Sequence, residues 1–356
     1  MYQKSGLESD VEEIPEDNQG QPVEPEPLGR RFFNLRTAAS FALGFGIFIF
    51  ALTRMNVELG SIVSRLANAD VRLYVVALCS YYLTFLVRAY RWRKLLRNVG
   101  YLEHGGESQP SILAVAKIIL LSWFANCIVP AKLGDAYRAY LLKQRVGASW
   151  SRTLGTILAE RIIDMLLLFL LLGLSVSLIA QVTQDPIVVW LFQGGLVLVV
   201  VAVVGLLSMR NLSGKIQRRV PKRFQTQYAQ FEAGTLLAFG WGRMPMVMLY
   251  SLICWAIEAG RVYLVCLALG LAALNWPVIL FVALAAALLT TIPFTPAGLG
   301  IVESAIVAIL LLAGRSGLIA GIDEGLATSV AILDRSISYW SVIVSGAVLH
   351  LVARDR

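Results

Sequence analysis

Apolar residues in this chain come in long runs rather than in alternation, and a run of roughly 20 residues suffices to cross a bilayer as a helix. The runs at about 37–54, 72–91, 153–180, 187–208, 245–271 and 325–351 each predict a full crossing. Two further runs are interrupted: 111–143 breaks at Pro130, and 277–313 breaks at Pro293 and Pro296. Proline lacks the backbone donor a helix interior needs, so a helix stops at each. Basic residues then set the sides. Arg88, Arg91, Arg93, Lys94 and Arg97 close the second crossing, and Lys143, Arg145 and Arg152 follow the first interrupted run. Both clusters belong on the cytoplasmic side. The run 111–143 thus starts and ends on one side, as a re-entrant hairpin. The loop 209–244 sets Arg210, Lys215, Arg218, Arg219, Lys222, Arg223 and Arg243 against Glu232, and the last run ends at Arg354 and Arg356; both are inside. The count closes when 277–313 is a second hairpin entering from outside.

The expected fold is therefore an all-α polytopic membrane protein. It has about six full transmembrane helices and two Pro/Gly-broken re-entrant hairpins of opposite orientation. Counting every run as a full crossing gives eight spans instead and places Lys143 and Arg145 outside. Residues 1–30 form an acidic tail, and 31–356 a transmembrane domain. Its first half is 37–208 with hairpin 111–143, and its second half is 245–352 with hairpin 277–313.

Composition agrees with a membrane protein: 57% of the 356 residues are hydrophobic and 15% charged, against about a quarter charged in soluble domains. No n-region and cleavage pattern opens the chain, so no secretory signal is expected to be removed. The net charge of +8 is segregated. Residues 5–29 carry eight acids, no bases and four prolines, which reads as disorder. Cys79, Cys127, Cys254 and Cys266 lie in apolar runs and are expected as small buried hydrophobes rather than disulfides. With two histidines, His104 and His350, no metal site or cofactor is expected. Neither a nucleic-acid module nor a phosphate loop, nucleophile elbow or HExxH motif appears.

Charge inside the apolar runs is the informative exception, because ionisable groups at membrane depth are expensive and usually functional. Glu160, Arg161 and Asp164 fall within about one turn of a single helix. Uncompensated, three such charges would cost about 8–10 kcal/mol, so they pair or face water. Glu258 and Arg261 repeat the i,i+3 spacing, and Asp334-Arg335 add one charge of each sign. The sequence Pro-Ala-x-Leu-Gly occurs at 130–134 and again at 296–300, each time before a helix-forming run. Gly134 and Gly300 would let a helix start there in mid-membrane, aiming free N–H groups into a cavity where an anionic phosphate would fit. Such matched interruptions point to a transporter's central site. Lys132 and Arg138 supply cations beside the first break, and Arg138 can bind two phosphate oxygens. Against this stand a packed proline kink, an interfacial Lys132, and a purely structural ion-pair network.

Asn126, Pro130, Gly134-Asp135 and Arg138, then Glu160-Arg161 and Asp164, then Pro296 to Gly300 and Glu303 resemble the lysylphosphatidylglycerol synthase transmembrane region family. Its members are also called flippase-like domain or UPF0104-type membrane proteins. The likeness covers about residues 35–352. Two positions depart from the pattern: Asp135 stands where the family's acid can be Glu, and Lys132 where it usually has Arg. The resemblance implies movement of phospholipids, aminoacyl-phospholipids or polyprenyl-phosphate-linked sugars between leaflets. No soluble aminoacyltransferase domain is expected here.

The expected function is translocation of an anionic lipid. The site would comprise Lys132, Gly134, Asp135, Arg138, Glu160, Arg161, Asp164, Gly300, Glu303, Asp334 and Arg335. The expected setting is the inner cell membrane of a prokaryote, with both termini cytoplasmic. Membrane lipids are the expected partners, and a glycosyltransferase or envelope-assembly protein is a further one. Two alternatives stand beside it: the membrane part of a lipid-modifying transferase similar to a phosphatidylglycerol lysyltransferase, and a non-transporting accessory subunit of envelope glycan or lipid assembly.

Overall fold

The computed structural model describes residues 35–53, 59–101, 110–129, 133–179, 186–240, 242, 244–271, 274–291 and 295–354. The acidic tail, His104, Pro130, Lys132 and Pro293 lie outside the described residues. Helix α1 is Leu35–Thr53, α2 Leu59–Ala67, α3 Val71–Asn98, α4 Ile112–Ile128, α5 Leu133–Val146, α6 Trp150–Leu178 and α7 Pro186–Arg219. Then come α8 Gln225–Ala238, α9 Met244–Ala268, α10 Trp276–Leu289, α11 Ile301–Arg315, α12 Glu324–Arg335 and α13 Ser341–Arg354. A single 3₁₀ turn, Pro296–Gly298, precedes α11, and a π turn, Ser336–Trp340, joins α12 to α13. The chain is an all-α polytopic membrane protein.

Local chemistry explains most boundaries. Asp70 caps α3, accepting from the N–H of Arg72 at 2.8 Å. Ser111 caps α4 through Ala114 N–H, and Ser149 caps α6 through Arg152 N–H. Asp323 accepts from Leu326 N–H at 2.7 Å and starts α12. Each satisfies a donor the first helical turn would leave orphaned.

Among the described residues five helical stretches are long and apolar enough to cross a membrane by length and composition: 71–98, 192–219, 244–268, 296–315 and 324–352. The stretch 296–315, expected as one arm of a hairpin, is among them. Helix α6, at 29 residues, is long enough but carries Glu160, Arg161 and Asp164. The two interrupted runs are both helix–break–helix pairs, α4/α5 and α10/α11.

Two expectations need correction. Residues 209–219 are not loop: α7 runs unbroken to Arg219, because Arg, Lys, Leu and Gln are helix formers and nothing stops the helix before Pro221. Helix α3 likewise does not stop at 91 but continues to Asn98, and Arg88 and Arg91 of its basic cluster are buried inside the bundle.

The core is laid down by α3 against α9, α6 against α8, α4 against α5 and α11 against α12. Gly134 and Gly300 fix the two breaks. A Cβ at Gly134 would stand 2.0 Å from the Ser122 carbonyl of α4, so α5 starts with its backbone pressed onto α4. Gly300 has φ +84, and a Cβ there would lie 2.1 Å from the Gly44 carbonyl of α1. Only glycine meets both demands.

Candidate functional site

Ionisable side chains inside the bundle gather in two groups of matched composition. The first holds Arg91, Arg138 and Arg161 with Asp135, Glu160 and Asp164. Arg91, on α3, is fully buried and donates to both Asp164 oxygens at 2.5 and 3.0 Å, to Glu160 Oε1 at 2.5 Å and to Ser251 Oγ at 2.7 Å. The Arg138 guanidinium lies 3.8 Å from the centroid of the Trp92 ring. Its Nη2 is 3.0 Å from Glu160 Oε2, but these two atoms lack hydrogen-bond geometry, so the contact is an ion pair. Arg161 forms a fork with Asp135 at 2.9 and 3.2 Å. That pairing crosses from α6 to α5; the i,i+3 neighbour Asp164 turns to Arg91 instead.

The second group holds Arg88, Arg261 and Arg335 with Glu258, Glu303 and Asp334. Glu258 accepts from both Arg88 and Arg261 at 3.1 Å, and Arg261 also donates to Asp334. Arg335 donates to Glu303 at 2.7 Å and to the Ala297 carbonyl at 3.1 Å, while the other Glu303 oxygen accepts from Gly300 N–H at 2.6 Å. This clamp holds the 296–300 break, where Ala297 sits at φ 44, a region side chains rarely occupy. Breaking one partner from a buried pair typically costs about 3–5 kcal/mol, so these twelve groups brace one another.

Helix α3 links the groups, since Arg88 serves the second and Arg91 the first, one turn apart. Between them lies a cavity of about 160 Å³, room for on the order of ten water-sized volumes, the scale of a phosphate with a few polar substituents. Arg88, Arg161, Asp164, Glu258, Arg261, Asp334 and Arg335 line it. Residues of both breaks reach it as well: Asn126 and Val129 from the first, Thr290, Thr295 and Ala297 from the second. Ala283, Ala286, Ala287, Met165 and Leu168 make much of the remaining wall.

The expected site residues therefore divide. Arg161, Asp164, Asp334 and Arg335 line the cavity, whereas Arg138, Glu160 and Glu303 are buried behind the lining as its supports. Asp135 holds Arg161. Gly134 donates its N–H to Asn126 Oδ1 at 2.9 Å, and Gly300 to Glu303, so both N–H groups are used inside the protein. Lys132 lies outside the described residues. Arg88 and Arg91 were missed, because a basic cluster at the end of an apolar run reads as an interfacial anchor. The signal was present: Arg88 and Arg91 are spaced i,i+3 and still flanked by Phe85, Leu86, Val87 and Trp92. Among the described residues no group of three or more histidines, cysteines and carboxylates is placed to hold a metal ion.

The family model of the lysylphosphatidylglycerol synthase TM region matches residues 38–346. A UPF0104 membrane protein of Methanocaldococcus jannaschii is 34% identical over 235 residues, 65% of this chain and 95% of that protein. A UPF0104 membrane protein of Pyrococcus horikoshii is 24% identical over 317 residues, 82% of this chain and 90% of that protein. The glycosyltransferase AglD of Haloferax volcanii is 27% identical over 338 residues, 83% of this chain but 51% of that protein, so the chain spans about half its length.

Proposed function

We propose that this chain, which belongs to the lysylphosphatidylglycerol synthase TM region family, moves a phosphate-bearing anionic lipid between the leaflets of a prokaryotic cell membrane. The observation that carries the reading is the cavity where both interrupted helix pairs meet, lined by four arginines and three carboxylates together with aromatic, hydroxyl-bearing and small apolar side chains. In this reading the head group occupies the cavity and the acyl or polyprenyl tails stay in lipid. The ion pairs exchange partners with the head group, so that no charge crosses hydrocarbon unpaired. The two breaks frame a fixed site, and access alternates as one half of the bundle rocks against the other around it. Both termini are taken as cytoplasmic, on the basic residues near the helix ends.

The test is a leaflet-resolved assay in proteoliposomes with an acyl-labelled phosphatidylglycerol. Wild-type protein should equilibrate the label faster than protein-free vesicles, and Arg161→Gln and Arg88→Gln should slow it several-fold. Wild-type vesicles no faster than protein-free ones would overturn the function, and variants as fast as wild type would overturn the site.

A second reading rests on the relative named a glycosyltransferase. There the chain would be the membrane part of a lipid-modifying enzyme or its accessory subunit. Product formed from lipid and sugar donor by the purified chain would favour the enzyme, and co-purification with a transferase would favour the subunit.

A further inference from the structure

The cavity wall is not uniform in how its polar groups are satisfied. On the side of the first group, Arg161 is held bidentately by Asp135, and Asp164 by Arg91. On the side of the second group, Arg88 and Arg261 share the carboxylate of Glu258, and Arg261 has Asp334 as well. Among the described residues the Nε donors of both arginines are buried without a hydrogen-bond partner, as are those of Arg91 and Arg138 behind the other side of the wall.

Hydroxyl groups show the same contrast. Thr290 and Thr291 donate to carbonyls of their own helix, Ala287 and Leu288, each at 2.6 Å. Tyr81 donates to the Ser338 carbonyl at 3.1 Å. Thr295 lines the same cavity and is 2% exposed, yet its hydroxyl has no partner among the described residues. Its backbone is extended at φ −126, ψ 155, the conformation imposed on a residue before proline, so Pro296 fixes where the side chain starts. Two residues on, Arg335 donates to the Ala297 carbonyl, which brings a guanidinium to the same break. A buried hydroxyl left unbonded is destabilising in itself and is retained where something else bonds to it.

We propose that the Thr295 hydroxyl and the guanidinium groups of Arg335, Arg261 and Arg88 form a phosphate-binding subsite at the second break. The chemistry asks for a ligand that only accepts hydrogen bonds, carries negative charge and offers several oxygens, which a phosphate ester does. Arg138, packed against Trp92 behind the lining, is not part of it. The proposal rests on the reading that the cavity takes a lipid head group, and it assigns the phosphate to one side of that cavity.

The test uses the full chain in detergent, titrated calorimetrically with dihexanoyl-phosphatidylglycerol, inorganic phosphate or dihexanoylglycerol, alongside unfolding without ligand. Wild type should bind the phosphatidylglycerol and ignore the uncharged glyceride. Thr295→Val should bind about tenfold more weakly, as expected for one lost hydrogen bond to a charged acceptor. It should unfold at or above the wild-type temperature, because a methyl replaces a hydroxyl with nothing to bond. Thr295→Ser should bind within about twofold of wild type. Unchanged binding by the valine variant, a serine variant as weak as valine, or a valine variant of lowered stability would each overturn the subsite. Inorganic phosphate binding as tightly as the lipid, with the same dependence on Thr295, would keep the subsite and make its ligand free phosphate. Proteoliposomes in which wild type moves no lipid overturn the transport reading alone, since the titrations still decide Thr295.

Discussion

Removing the Arg91 side chain is the most searching perturbation of the buried network. Arg91 is fully buried and makes four hydrogen bonds, to Asp164 twice, Glu160 and Ser251. Arg91→Ala takes from Asp164 the arginine paired with it and leaves Glu160 with Arg138. Breaking a buried pair from one side costs about 3–5 kcal/mol. At about 1.3 °C per kcal/mol for 356 residues, the apparent unfolding temperature in detergent should fall by roughly 5 °C. The control is Arg65→Ala, whose 2.6 Å pair with Asp323 is 34% and 57% exposed. Such a pair contributes about 0–1 kcal/mol, so the control should shift by less than about 2 °C. Arg91→Lys should fall between them, since one ammonium cannot bridge two carboxylates as a planar fork does. Combining Arg91→Met with Asp164→Asn should recover part of the loss, because the orphaned charge is gone. An Arg91→Ala protein as stable as Arg65→Ala would mean that this half of α3 faces water and that the network has no structural weight.

Gly300→Ala should abolish or strongly lower the yield of folded protein by fluorescence-detected gel filtration, because its Cβ would sit 2.1 Å from the Gly44 carbonyl at φ +84. Gly317→Ala, at φ +70 with nothing within 4 Å, should cost only about 1 kcal/mol. Asp323 tests pH dependence outside the membrane-spanning stretches. Burial pushes its carboxyl up, but the Leu326 N–H and the Arg65 guanidinium outweigh this and hold it below the usual carboxylate range. A depressed carboxyl stabilises above its unfolded value of about 4 and loses that contribution as pH falls through the folded value. The stability gap between wild type and Asp323→Asn should therefore be full at pH 6 and shrink as pH falls below about 4 in thermal scans; a gap that widens on acidification would reverse the sign.

The features legible in the sequence are local ones. Long apolar runs specified the helices, and Pro-Ala-x-Leu-Gly placed the two breaks, because hydropathy and proline stereochemistry act within a few residues. The Glu258–Arg261 pair follows from helical spacing alone, and it forms at 3.1 Å. The π turn at Ser336–Trp340 had no comparable mark, although it directly follows Asp334-Arg335, and such turns often sit at functional sites. Local reasoning failed where two readings share one pattern. Arg88 and Arg91 look like an interfacial cluster until α9 and α6 are seen to bring Glu258, Glu160 and Asp164 against them.

By itself, then, the sequence determined that this is a helical membrane protein, where its helices break, and that charge is buried near those breaks. Which charge meets which was decided only by the tertiary structure. Arg88 and Glu258 stand 170 residues apart, and Arg261 and Asp334 stand 73 apart. Such pairs depend on how α3, α6, α9 and α12 pack, which no local pattern encodes. The same packing set Arg138 behind the cavity wall, put Arg335 and Thr295 on it, and left the Thr295 hydroxyl without a partner among the described residues.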